Sequence, residues 1–172
     1  MDRSLLRAVL VRCAAALLAA AGLSLAGCGA DTPAGDAPAE SPLAFTATTV
    51  DGDRFDGSSL AGKPAVLWFW APWCPTCLGQ APGVREAVAE HADQVGIVGV
   101  AGLDKAEAMP DFVRMAKVEG MPHISDEAGD LWKKFGVREQ STLVFLDAAG
   151  KVTFRGKLTA DEIPGRVAAL LG

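Results

Sequence analysis

The chain has no tyrosine, two histidines and four cysteines among 172 residues. Four cysteines are too few for a disulfide-dense scaffold. One CxxC is present, with no second CxxC and no Cys/His pair at ligand spacing, as a structural zinc site would need. Positive charge is also scarce. Lys+Arg number 16 against Asp+Glu 21, for a net charge of −5. Removing residues 1–27 takes away three arginines and one aspartate and leaves −7. This balance, with no tyrosine, argues against a phosphate-backbone binder, and no nucleic-acid partner is expected. What is present is enough for a folded domain. Half the residues are hydrophobic and 22% are charged, which rules out wholesale disorder. The length suits one domain with appendages.

The N-terminus reads as an address. Arg3, Arg7 and Arg12 form a basic region, and residues 13–25 are an apolar run. That run fits a signal segment and is short for a bilayer span. Leu25-Ala26-Gly27-Cys28 follows and resembles the bacterial lipobox. The resemblance implies cleavage before Cys28 and acylation of its sulfur. Residues 1–27 are thus expected to be a lipoprotein signal peptide, and a lipid on Cys28 would anchor the chain to a cell membrane, outside the cytoplasm. An ordinary secretory signal with an incidental Cys28 is the plainer alternative. Either way the domain reaches a compartment where disulfides persist. Residues 28–42 (CGADTPAGDAPAESP) carry proline, glycine, alanine and acids with no large apolar side chain, so they read as a disordered tether.

From Leu43 to Gly172 the pattern is that of a single domain. Residues 45–50 look β-like, with a turn at Asp51-Gly52 before Arg54-Phe55. Residues 65–70 (AVLWFW) and 95–101 (VGIVGVA) are continuous apolar runs, as strands buried on both faces require. Residues 75–91 read as a helix with a kink expected at Pro82. Residues 106–118 carry Met109, Phe112, Val113 and Ala116 at helical spacing. A short helix is expected over 129–135, then a strand over 142–147, a turn at 148–150 and an antiparallel strand over 151–155. A closing helix over 159–171 opens on Thr159-x-x-Glu162, a capping-box pattern. The expected class is α/β, a central mixed sheet with helices on both faces.

The chemistry centres on Trp73-Cys74-Pro75-Thr76-Cys77, where a buried strand ends and a helix begins. A lone CxxC serves metal ligation or redox chemistry; at a strand-to-helix junction it is a redox signal. Two thiols three residues apart at a helix start can close a disulfide. Pro75 suits the first helical position, where its missing N–H loses nothing. First-turn N–H groups and the helix dipole would favour the Cys74 thiolate, making Cys74 the attacking sulfur. Cys77, one turn deeper, would resolve the mixed disulfide. Trp73 is expected to shield the pair and to offer a flat contact to a substrate chain; Trp68 and Trp70 belong to the sheet. An inert disulfide and a metal pair are the alternatives. A peroxidatic reading of Cys-Pro-Thr needs a threonine or serine three residues before the cysteine, and Ala71 stands there.

WFWAPWCPTC followed by Ala81-Pro82 resembles the thioredoxin-fold oxidoreductases. The likeness extends through residues 59–64 (SLAGKP), 99–104 (GVAGLD) and 135–137 (FGV). These segments are similar to the exported thioredoxin-like proteins of mycobacteria, the DsbF/DsbE type, and more distantly similar to the TlpA/ResA group. The likeness implies a thioredoxin-like fold over 43–172 and a thiol:disulfide oxidoreductase that oxidises the cysteines of exported proteins. A reductase serving cytochrome c maturation and a non-enzymatic metal-binding module are the alternatives. Exported clients and a membrane redox partner are the implied partners. No cofactor beyond the Cys74–Cys77 pair and no bound metal are expected.

Three positions depart from that family. Its cis-proline opposite the CxxC is replaced by Ser141, so Gln140–Ser141 is either a strained cis bond or a trans bond in a reshaped loop. The buried carboxylate of the preceding strand is replaced by Trp68. The glutamate three residues after the second cysteine is replaced by Gln80, which cannot take a proton at neutral pH. Slow deprotonation of Cys77 is the expected consequence, and with Ser141 in place of proline, adventitious metal binding by the cysteines becomes easier. His123 reads as an exposed loop residue and His91 as a partner of a helix C-terminus. Asp126, Glu127 and Asp130, and the pair Lys133-Lys134, read as solvated faces.

Overall fold

Ala65 to Trp70 has no polar side chain at all, so it must be covered on both sides. In the computed structural model, which describes residues 41–172, this segment is the central strand β3 (Ala65–Trp70), every residue of it buried. Before it, β1 (Thr46–Thr48) and β2 (Arg54–Asp56) form a separate antiparallel hairpin. Then come β4 (Gly96–Ala101), β5 (His123–Ser125), β6 (Thr142–Leu146) and β7 (Val152–Gly156). The main sheet has the order β5-β4-β3-β6-β7. Strands β3, β4 and β5 run parallel, while β6 and β7 are antiparallel to their neighbours. The hairpin docks at the far edge, where Thr49 bridges Ile124 and the Val50 N–H donates to the His123 carbonyl at 2.7 Å.

Strand alternation sorts the core into two layers. Val66, Trp68 and Trp70 face one way, with Leu143 and Phe145, against α1 (Pro75–His91), α2 (Met109–Ala116) and α4 (Glu162–Ala168). Leu67 and Phe69 face the other, with Val98, Val100 and Val144, against α3 (Asp130–Lys134). Trp70 stacks on Phe112 at 4.3 Å between centroids, and Phe69 meets Trp132 edge-on at 5.5 Å. Helices therefore lie on both faces, as the sequence pattern predicts. Helix α1 runs unbroken through Pro82. Its Gly83 lies against the backbone of Ala160, where a Cβ would collide with the carbonyl, so glycine permits the close approach of α1 to the start of α4.

Several expectations need correction. The segment 106–118 is not one helix: a 3₁₀ turn over Ala106–Ala108 leads into α2, which ends at Lys117 in a left-handed conformation (φ 55°). The final helix begins later than Thr159. The Glu162 carboxylate accepts from the Thr159 N–H (2.7 Å) and hydroxyl (2.8 Å), a half-formed capping box that holds its pKa below the ordinary carboxylate value. Asp126 is no solvated charge. It is buried and accepts from the N–H groups of Asp130 and Trp132, both at 2.9 Å, thereby opening α3. Lys133 and Lys134 are exposed, as expected.

His123 is the clearest miss. It is 4% exposed and opens strand β5. Its Nδ1 accepts from Trp70 Nε1 at 3.3 Å, so Nε2 carries the proton and donates to the Val118 carbonyl at 2.9 Å. Gly99 makes room for the ring, since a Cβ there would overlap it. Burial pushes the His123 pKa down, opposed by the Val118 carbonyl and by Asp51 and Glu119. The folded state thus keeps His123 neutral where the unfolded chain would begin to bind a proton. Its contribution is full above the unfolded value of ~6.5 and is lost as pH falls from there toward the folded pKa. Urea midpoints should drop between pH 7.5 and pH 5, no more steeply than ~1.4 kcal/mol per pH unit for one proton. In His123→Gln that part of the slope should vanish; an identical slope in both proteins would exclude the assignment.

Candidate active site

The strand-to-helix junction is built by its own sequence. Strand β3 ends at Trp70, the Cys74 N–H closes a turn onto the Ala71 carbonyl at 3.1 Å, and Pro75 starts α1. Cys74 is the N-cap residue: its backbone is extended (φ −90°, ψ 106°), and its Sγ accepts the Cys77 N–H at 3.0 Å. A sulfur thus occupies the place that an N-capping oxygen usually takes, at the positive end of the helix. Cys74 and Cys77 are joined as a disulfide, their Cα atoms 5.3 Å apart. Cys74 is 3% exposed and Cys77 is 0% exposed. Pro75 and Thr76 lie at the surface beside them.

Trp73 is 53% exposed, and its Nε1 donates to the Leu103 carbonyl at 3.3 Å. Leu103, also exposed, has φ 60°. The indole is therefore tied down at the rim of the pair, beside a second exposed apolar side chain. Leu103 lay within a segment that carried the family likeness, but nothing in its spacing pointed to this contact.

Ser141, Gln80 and Trp68, three separate departures in the sequence, form one buried constellation. No peptide bond among the described residues is cis. Gln140–Ser141 is therefore trans, and the loop is reshaped: Ser141 takes φ 65°, a left-handed conformation that costs a non-glycine residue roughly 1–2 kcal/mol. What holds it there is visible. Gln80 Nε2 donates to the Ser141 carbonyl at 3.0 Å and to the Leu158 carbonyl at 2.8 Å. Trp68 Nε1 in turn donates to Gln80 Oε1 at 2.9 Å. The Gln80 amide thus spends both hydrogens on carbonyls and its oxygen on the Trp68 indole, and donates to neither sulfur. Ser141 Oγ lies 3.2 Å from Cys74 Sγ and 3.3 Å from Cys77 Sγ. The alternation of β3, which sets Trp68 on the α1 side, was the one readable signal for this link.

Among the described residues, no three His, Cys, Asp or Glu side chains are grouped to hold a metal ion, and no helix is long and apolar enough to cross a membrane. The signal segment, Cys28 and nearly all of the tether lie outside the described residues.

A mixed sheet with a paired CxxC at the start of its first long helix defines a thioredoxin-like thiol–disulfide oxidoreductase. The chain belongs to the AhpC/TSA family, whose model matches residues 38–155. It is 43% identical over 145 residues to the soluble secreted antigen MPT53 of Mycobacterium tuberculosis, covering 82% of each chain. Two solved structures agree. That of MTB dsbF, in mixed oxidised and reduced forms, is 49% identical with a TM-score of 0.71, over 76% of this chain and 97% of that one. A secreted Mycobacterium tuberculosis disulfide oxidoreductase homologous to E. coli DsbE is 40% identical with a TM-score of 0.69, over 76% and 99%.

Proposed function

We propose that this chain oxidises cysteine pairs of exported proteins through Cys74 and Cys77. The observation that carries the reading is Cys74 Sγ serving as the N-cap of α1, accepting the Cys77 N–H at 3.0 Å. Donors that aim at this sulfur stabilise a thiolate more than a disulfide, which stabilises the reduced pair and makes the oxidised pair an oxidant. A client thiolate attacks Cys74 Sγ, the Cys74–Cys77 bond breaks, and Cys77 departs as a thiolate. A second client thiolate attacks the client's sulfur in the mixed disulfide, and Cys74 departs as a thiolate. The client gains one disulfide, and the pair gains two electrons. A membrane redox partner then withdraws those electrons. No cofactor is needed, since the pair itself carries the charge.

The exposed Trp73 indole and Leu103 give the client an apolar contact beside Cys74. The relatives named as secreted support export, and the Arg-rich start with Leu25-Ala26-Gly27-Cys28 supports a lipid on Cys28. The reduction potential tests the direction. A value between ~−120 and ~−200 mV is expected, whereas one near ~−270 mV would make the protein a reductase. For the anchor, Cys28→Ser should release the domain from the membrane fraction; unchanged fractionation would remove the lipid from the account.

A further inference from the structure

The Cys74–Cys77 disulfide carries no S–H, so the only proton among the three atoms Cys74 Sγ, Cys77 Sγ and Ser141 Oγ is the serine's. The hydroxyl is therefore the donor, and both sulfurs lie within its reach. Ser141 is 2% exposed, so solvent offers it little competition. Among the described residues no other donor meets Cys77 Sγ, while Cys74 Sγ also accepts the Cys77 N–H. The serine is held in a left-handed backbone conformation by Gln80, which Trp68 orients. Strain kept in place by a buried network marks a position that the surroundings define closely.

We propose that Ser141 is a catalytic residue whose hydroxyl donates a hydrogen bond first to the departing Cys77 thiolate and then to the departing Cys74 thiolate. In the first step a thiolate bonds to Cys74 Sγ, the Cys74–Cys77 bond breaks, and its electron pair stays on Cys77 Sγ, where the hydroxyl meets it. In the second step the bond between Cys74 and the client breaks, and the pair stays on Cys74 Sγ, 3.2 Å from the same oxygen. The serine keeps its proton throughout, so no acid or base is consumed. One rotatable hydroxyl thus supplies the stabilisation that Gln80, committed to two carbonyls, does not supply. Gln80 and Trp68 are positioning residues that act through Ser141. The inference rests on Cys74 and Cys77 being the exchanging pair and holds for either redox direction.

The test uses the purified protein with Ser141→Ala and Ser141→Gly. Glycine adopts φ 65° without strain, so that variant removes the hydroxyl while favouring the observed backbone. A hydrogen bond to a charged group is worth enough to move a titration by about one to two pH units. The thiolate absorbance of the reduced protein should therefore titrate about one to two units higher in both variants. The equilibrium with glutathione should shift toward the protein disulfide by roughly 10- to 100-fold, about 30 mV more negative for each tenfold. Reduction of the oxidised protein by glutathione should slow about tenfold or more, with the helical circular dichroism unchanged. Wild-type titration and equilibrium in Ser141→Gly would overturn the proposal, even if Ser141→Ala were impaired, because loss of the hydroxyl would then have no effect of its own. Failure of the wild type to exchange with glutathione at all would instead overturn the underlying assignment of the cysteine pair.

Discussion

Cys77→Ala is expected to stop turnover and to leave Cys74 joined covalently to its clients. Attack by the Cys74 thiolate on a disulfide yields a mixed disulfide, and only a second thiolate can break it. When the client supplies the disulfide, that thiolate in the native protein is Cys77, one helical turn away and fully buried. An intramolecular thiol behaves as if present at very high concentration. Effective molarities reach ~10⁵–10⁸ M for well-oriented groups. Even an effective molarity of about 1 M, far below those values, would exceed ~1 mM of external thiol by about a thousandfold. Turnover should fall by at least that factor, and adducts should accumulate that thiol reductants release. In Cys74→Ala, activity should fall as far with no adducts, because Cys77 Sγ is the sulfur without access to solvent. Non-reducing electrophoresis and intact mass read both outcomes. Adducts in Cys74→Ala and none in Cys77→Ala would reverse the roles of the two sulfurs.

Trp68→Ala carries the largest expected loss of stability. Trp68 is wholly buried in the central strand, tilted against Trp70 and Phe112 with centroids 6.2 and 6.1 Å away. Truncating a buried tryptophan costs ~3–5 kcal/mol through lost transfer energy and an unfilled cavity. The change also orphans Gln80 Oε1, a buried acceptor, at ~1–3 kcal/mol. Since whole domains are stable by only ~5–15 kcal/mol, the variant should be mostly unfolded at 37 °C or close to it. Trp68→Phe separates the two effects. It keeps an aromatic ring in the core and removes the N–H, so it should cost ~1–3 kcal/mol in a urea titration. It should also loosen the Gln80 hold on the Ser141 carbonyl, which would appear as a shift in the thiolate titration. A Trp68→Phe protein with native stability and a native titration would show that the indole N–H neither stabilises the site nor positions Ser141.

The parts of this protein legible from its residues are those governed by local rules. Residues 65–70 could only be a strand buried on both faces, because six successive apolar side chains leave no solvent face. Cys-Pro-Thr-Cys after such a strand could be placed at a helix start because proline tolerates the first turn, and the bounds of that helix agree with the expectation. His123 was not legible. A histidine after proline, with no ligand-spaced neighbour, has the composition of a loop, and nothing local announces that Trp70, 53 residues earlier, donates to its ring. Asp126 was misread for the same reason: an acid near other acids looks solvated until its carboxylate is found capping α3.

The residues alone therefore determined the class of sheet and the place of the CxxC pair at a helix start, since each follows from spacing along a few adjacent positions. Only tertiary structure decided what the three departures do. Trp68, Gln80 and Ser141 are separated by as many as 73 positions, yet β3, α1 and the loop before β6 bring them within hydrogen-bonding distance of one another. Whether the serine would strain a cis bond or turn left-handed depended on which partner held its carbonyl, and that partner sits on a different element. Long-range contacts of this kind are set by packing of the two core layers, which no short window of sequence encodes.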